Sequence, residues 1–147
     1  MWLYQNKEVL SLEDLPQDTY GFIYIVTHSP SGKSYIGKKS LFHNVKKKLT
    51  KKQLAEQTGR GRKSTTEIIS KESDWKTYYG SAKPILDLIK EGKQEEFTRE
   101  ILQLVPNKKL LTYYECKYLF MLGVIEQQDG YFNDNILGKF FRKDFAE

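Results

Sequence analysis

The sequence predicts an α+β domain, a small three-stranded antiparallel sheet flanked by helices, with a basic insertion after the first hairpin. Three observations predict it. Residues 21–28 (GFIYIVTH) are β-branched and aromatic, and turn residues separate them from a second short run, KSYIG, at 33–37. Residues 97–105 (FTREILQLV) begin with the apolar-polar alternation of a strand. Two later stretches, KPILDLIKEG and KKLLTYYECKYLFMLGV, carry apolar residues at helical spacing.

The elements follow in order. Residues 1–20 read as an edge segment that packs Trp2, Leu3, Val9, Leu10, Leu12 and Leu15 on the core. In the hairpin, the loop 29–32 is turn chemistry, because Pro30 presets φ and Gly32 permits a positive one. Strand alternation puts Phe22 and Tyr24 on one face, and Ile23, Ile25 and Thr27 on the other. Residues 38–74 are polar and lysine-rich and read as an insertion or long loop, with a short helix starting at Thr50. Ser73 or Asp74 can cap another short helix, which Gly80 breaks. The next helix tolerates Pro84 in its first turn, aligns Ile85, Leu88 and Ile89, and ends at Gly92. After the third strand, the helix from Lys108 sets Leu111, Tyr114, Tyr118 and Met121 near one face. An aromatic tail follows, with turn residues Asn133, Asp134 and Asn135. The order is β-β-(insertion)-α-α-β-α, in one domain spanning 1–147.

Composition narrows the function classes. No apolar run approaches the length of a membrane span, and the first residues lack the pattern of a secretory signal. The single cysteine, Cys116, cannot close a disulfide within the chain, and it reads as core filler. A reducing, cytoplasmic setting is expected. His28 and His43 are too few and too far apart for a histidine metal motif. The net charge of +5 is unevenly spread: residues 38–63 hold ten Lys or Arg and one Glu, while the rest of the chain is net acidic. Such a concentration is the footprint of a polyanion partner, with a solvated arm as the alternative.

Phosphodiester hydrolysis needs a proton acceptor for water, positive charge on the phosphate, and often a carboxylate-held metal. The hairpin offers Tyr24 and Tyr35. The last long helix offers Glu115, the sole acid between Glu100 and Glu126. Taken one at a time, these residues have plainer readings as packing tyrosines and a surface carboxylate.

Together they resemble the GIY-YIG nuclease family. The first motif element matches Gly21, Ile23 and Tyr24 with Phe22 in addition, and the second matches Tyr35-Ile36-Gly37 without change. Glu115 occupies the place of the family's metal-binding glutamate, in a helix after the third strand. Asn133 or Asn135, in YFNDNI, looks like its late asparagine. The stretch from YYGSAKPILDLIKEG to FTREILQLV is similar to the middle of phage-type homing endonucleases of this family. The resemblance covers about residues 20–138.

It implies a metal-dependent DNA endonuclease, homing-type endonucleases being one form of it, in bacterial or phage-infected cytoplasm. Tyr24 would be the general base or a relay, and Tyr35 would position the water or a phosphate oxygen. Glu115 would hold one divalent ion, Mg²⁺ or Mn²⁺. The family's arginine after YIG has no counterpart, since its place falls near Val45 and Lys46. Arg62, ahead of Arg60, is assigned to the phosphate, with Lys38, Lys39 and Lys46 as rivals. His43 reads as a proton shuttle or a surface histidine. DNA would be held through phosphate contacts of the 38–63 segment, and a homodimer on DNA is one route to cutting both strands. Two other readings remain at this level: a catalytically impaired nucleic-acid-binding module of the same fold, and a protein-interaction partner using the aromatic tail. Trp75, Tyr78 and Tyr79 read as packing residues.

Overall fold

In the computed structural model, which describes residues 1–57, 59, 61, 64–127 and 129–145, the chain divides into two compact units. One is Met1–Leu41 with Asp74–Glu147, and the other is Phe42–Ser73.

The larger unit begins with β1 (Trp2–Tyr4) and β2 (Lys7–Val9), joined through Gln5 and Asn6 at φ 51° and 65°. Strands β3 (Gly21–His28) and β4 (Ser34–Ser40) then pair antiparallel over seven positions, from Gly21 opposite Ser40 to Thr27 opposite Ser34. The smaller unit holds β5 (Phe42–Lys48), α1 (Lys51–Glu56) and β6 (Thr66–Glu72). The chain returns through a 3₁₀ turn at Trp75–Thr77, then α2 (Lys83–Lys90), β7 (Phe97–Val105) and α3 (Lys108–Met121). The short pair β8 (Asn135–Ile136) and β9 (Phe140–Phe141) follows.

The main sheet is mixed and five-stranded, in the order β2-β1-β7-β3-β4, with β1 parallel to β7. This corrects the expected three-stranded antiparallel sheet. The N-terminal segment supplies the two additional strands. Each has three residues, too short for a period of two to be read. Trp2 anchors them: it is buried, its indole N–H donates to the Trp75 carbonyl at 2.7 Å, and its ring meets Phe22 edge-on. Leu10, expected in the core, is exposed.

Alternation on β3 gives the sheet two different faces. Ile23 packs with Ile36, Val105, Leu111, Leu119 and Ile136 beneath α3. Phe22 and Tyr24 face the other way, among Trp2, Trp75 and Tyr78. A register shift between Ile23 and Tyr24 makes Leu102 the extra residue of β7, since Ile23 pairs with Gln103 and Tyr24 with Ile101. The Asn107 side chain accepts from the Leu110 N–H at 2.9 Å and so caps α3. Leu111 and Leu119 form the buried stripe of α3, while Met121, expected with them, is exposed.

The region 38–74 also departs from expectation. Lys38 and Lys39 belong to β4, and much of the remainder is an antiparallel pair, β5 with β6, rather than loop. Lysine and glutamate break up the apolar pattern of FHNVKKK and TEIISKE, which hides the strands from a reading based on alternation. α1 begins behind Thr50, whose side chain accepts from the Gln53 N–H while Gln53 reaches back to the Thr50 N–H.

Candidate active site

β4 lies at the edge of the sheet, so every second residue turns its backbone N–H and C=O away from β3. These outward groups belong to Ser34, Ile36 and Lys38. Each finds a partner from the C-terminal part of the chain. Ser34 donates to the Gly130 carbonyl at 3.1 Å and accepts from Phe132 at 2.7 Å. Ile36 donates to Asn133 Oδ1 at 3.0 Å and accepts from Asn133 Nδ2 at 2.8 Å. The Lys38 N–H donates to the Glu115 carboxylate. Asn133 is buried, and Arg142 holds it from behind by donating to the backbone carbonyls of Val124, Tyr131 and Asn133. The sheet edge is thereby converted into one wall of a site.

Tyr35 and Gly37 point to the aromatic face of the same strand, where they meet Tyr24. The ring of Tyr24 is only 1% exposed and lies edge-on to Trp2 and Tyr78, with Tyr35 tilted beside it at 6.2 Å between centroids. Gly37 pairs directly with Tyr24, and a Cβ there would sit 2.5 Å from the Tyr24 hydroxyl. Gly80, at φ 113°, closes the other side, where a Cβ would lie 3.1 Å from the Tyr35 ring. Both glycines let backbone approach the phenols closely.

The electrostatics follow from this packing. Burial holds the Tyr24 hydroxyl well above the ordinary tyrosine range, reinforced by Tyr78, Tyr35 and Glu115; it donates a hydrogen bond to the Tyr78 hydroxyl. Burial also raises Tyr35, opposed by its hydrogen bond with Ser81 Oγ at 2.9 Å. Burial raises the Glu115 carboxyl, against the pull of the Lys38 ammonium and N–H. In the free protein both phenols are therefore neutral.

The segment carrying Tyr78 is itself fixed. Arg99, 4% exposed on β7, donates from Nη1 to the carbonyls of Lys76 and Tyr78, each at 2.9 Å. Its guanidinium lies between the rings of Trp2 and Tyr79, 4.7 and 4.2 Å from their centroids. Lys39 Nζ sits 4.1 Å from the Tyr78 ring centroid and 2.6 Å from Asp74 Oδ1. Lys38, on the opposite face, donates to Thr112 Oγ1 at 3.0 Å. A cavity of about 240 Å³ opens between α3 and the tail, lined by Tyr35, Glu115, Asn133, Asp134 and Asn135 with apolar neighbours.

The family model described as "Putative endonuclease segE, GIY-YIG domain" matches residues 2–136. The chain belongs to the GIY-YIG nuclease family. Membership supports nuclease activity on DNA. Comparison with curated proteins and with solved structures gives no significant match.

Of the GIY-YIG site residues expected from sequence, Tyr24, Tyr35, Lys38, Lys39, Glu115, Asn133 and Asn135 all lie in the larger unit, around the β3–β4 hairpin. Asn133 and Asn135 differ in kind. Asn133 clasps the strand edge, whereas Asn135 caps its own turn, accepting from the Gly138 N–H at 2.9 Å. His43 and Lys46 lie on β5, exposed, in the smaller unit. Arg60 and Arg62 lie outside the described residues. The sequence reading missed Asp134 and Ser81, took Tyr78 for packing alone, and gave Arg99 no part. The doublet Tyr78-Tyr79 ahead of Gly80-Ser81 was the available signal, since it repeats the aromatic-glycine wording of the YIG strand.

Proposed function

We propose that the protein is a divalent-metal-dependent DNA endonuclease that hydrolyses a phosphodiester at the β4 edge. The convergence of Tyr24, Tyr35 and Glu115 on that edge carries the reading, because residues far apart in sequence bring Tyr35 and Glu115 to one polar cavity, with Tyr24 packed beside Tyr35 and Lys38 acting on Glu115. Glu115 would hold one Mg²⁺ or Mn²⁺, with Asp134 and Asn135 lining the same cavity. The fit is to a hydrated hard cation. The available donors are oxygens, and no cluster of three or more His, Cys, Asp or Glu exists among the described residues. When bound, the ion supplies positive charge to the phosphate and to the departing 3′ oxygen.

The chain's own groups do the rest. Water attacks phosphorus, the P–O3′ bond breaks, and a 5′ phosphate and a 3′ hydroxyl result. Tyr35 hydrogen-bonds the attacking water or a phosphate oxygen. Tyr24 accepts the proton or passes it on, with Tyr78 as the next hydroxyl in line. Because burial keeps Tyr24 neutral, it gains that capacity only once added positive charge offsets the burial. Lys38 neutralises phosphate charge in place of an arginine, without a bidentate grip. Two copies on one duplex, or one copy reoriented, would cut both strands, and a homing role is a form this activity could take.

Plasmid cleavage tests the reading. Wild type with Mg²⁺ or Mn²⁺ is expected to nick and then linearise supercoiled DNA, EDTA to stop it, and Glu115→Ala to abolish it while still binding DNA. One observation favours a second reading, a DNA-binding module without chemistry: the neutral, buried Tyr24. Salt-sensitive binding with no cleavage in either metal, on varied DNA, would establish that module instead.

A further inference from the structure

The smaller unit has a face that its own packing leaves open. In β5–β6 the register places Asn44 opposite Ser70, Lys46 opposite Ile68 and Lys48 opposite Thr66. Directly paired residues share a face, and the next pair faces the other way. One face therefore carries Asn44, Lys46, Lys48, Ser70, Ile68 and Thr66, and the other carries Val45 and Ile69 together with His43, Lys47, Glu67 and Lys71. Val45 and Ile69 are half-buried, whereas Asn44, Lys46, Lys48 and Ser70 are exposed. Ile68 is 67% exposed among them, a large apolar side chain that packing within the unit does not use. None of these three pairs contains an acid: Glu67 is on the opposite face, and Glu72 lies one same-face pair beyond Ser70, opposite Phe42.

We propose that this face reads base edges in the major groove of duplex DNA, and so sets the site preference of the nuclease. The proposal rests on the nuclease reading above for its substrate. A two-stranded ribbon is an element the major groove admits, the groove being about 12 Å wide. Seven paired residues at about 3.4 Å each give a ribbon long enough to follow the groove over several base pairs. The chemistry of the face matches what base pairs present there. Asparagine pairs with the N6 and N7 of adenine, lysine with the O6 and N7 of guanine, serine with either, and an apolar side chain with the thymine methyl. Charge complementarity selects the partner, since residues 42–73 hold nine Lys or Arg and three Glu. A surface for phosphate alone has no use for Asn44, Ser70 and Ile68 beside the lysines. Lys47, Lys51 and Lys52, off this face, supply the backbone contacts that hold the ribbon in register.

The test uses the full chain in EDTA, so that DNA is bound and not cut, with a duplex library randomised at its centre. Wild type is expected to enrich a defined motif. Asn44→Ala and Ile68→Ser should each erase preference at a different position of it, by about 5- to 100-fold, with little loss of affinity for the unselected library. Lys51→Ala should weaken binding to all sequences alike and lower the salt slope by about one. Circular dichroism and melting curves identical to wild type would show that these exposed substitutions leave the fold intact, and Asn44→Gln gives a second probe of the same position. Binding without an enriched motif, or a motif unchanged in Asn44→Ala, Asn44→Gln and Ile68→Ser, overturns the proposal. Plasmid cleavage with Mg²⁺ on the same preparations separates the two readings. Cleavage without a motif sinks the ribbon proposal and leaves the nuclease, and a ribbon-dependent motif without cleavage does the reverse.

Discussion

The chain contains two antiparallel hairpins that pair over seven positions each, β3–β4 and β5–β6, and they are built for opposite ends. In β3–β4 both faces are covered. Ile23 and Ile36 sit beneath α3, Phe22 and Tyr24 lie among aromatic rings, and Asn133 clasps the outer edge. In β5–β6 one face is open, with Asn44, Lys46, Lys48, Ile68 and Ser70 exposed on it. Groups that must hold a water and a phosphate in fixed geometry need surroundings that lock their rotamers. Groups that meet a long polyanion need exposure and charge. The contrast therefore predicts where a substitution costs chemistry, where it costs stability, and where it costs only recognition.

The largest expected effect is on chemistry. Glu115→Gln keeps size and polarity but removes the charge that a cation needs. Cleavage should fall by about a hundredfold or more, measured as single-turnover nicking, with DNA binding retained. Next comes the packing around the phenols. Gly37→Ala places a Cβ against the Tyr24 hydroxyl, and such overpacking costs about 1–3 kcal/mol. Urea unfolding should show that loss, and cleavage should drop with it because Tyr24 must move. An active, fully stable Gly37→Ala would mean that Tyr24 has no fixed role. Asn133→Ala should cost about 1–3 kcal/mol by leaving the Ile36 N–H and C=O without partners. Hydrogen exchange at the Ile36 amide reads this directly. Unchanged protection there would remove the clasp from the account.

The same carboxylate ties function to stability through pH. Burial raises Glu115 above the ordinary value of 4.5, so the folded state holds that proton more tightly than the unfolded chain. The resulting stabilisation is complete below the ordinary value and is lost as pH climbs through the raised one. Glu115→Gln should thus be more stable than wild type at neutral pH, with the difference shrinking in acid. Cleavage by wild type should move oppositely, rising as Glu115 ionises. A stability difference independent of pH would show that burial does not set this carboxyl.

The legible parts of the molecule were those written in one local stretch. Tyr24 and Tyr35 sit in a single hairpin, and Glu115 is the lone acid of a long helix, so residue type and spacing sufficed to mark them. Helix α2 showed through the spacing of Ile85, Leu88 and Ile89. Arg99 was not legible, because long-range pairing alone gives it meaning, holding the Tyr78 carbonyl; Tyr78 and Ser81 showed only as an echo of the YIG wording, and the bond of Ser81 with Tyr35 is likewise long-range. Asp134 was hidden among turn residues that serve the turn equally well. Strands β1 and β2 were too short for a pattern, and in β5 and β6 lysine and glutamate interrupt the apolar alternation.

The smallest expected effect sharpens the comparison by being nearly nil. Lys46 and Lys48 are exposed on β5, and each faces an uncharged residue across the ribbon, Ile68 and Thr66. Neither packs a core, and their like charges on one face repel. Lys46→Gln with Lys48→Gln should therefore change stability by no more than about 0.5 kcal/mol, with a slight gain at low salt as the repulsion is relieved. DNA binding should nevertheless weaken, most for sequences that offer guanine to the two lysines, and the slope of log affinity against log salt should fall by less than about one because the backbone contacts lie elsewhere. A fall of about two would move both lysines from base edges to phosphates. A large loss of stability would show that this ribbon, like β3–β4, is built around its side chains, and the division of labour between the two hairpins would not hold.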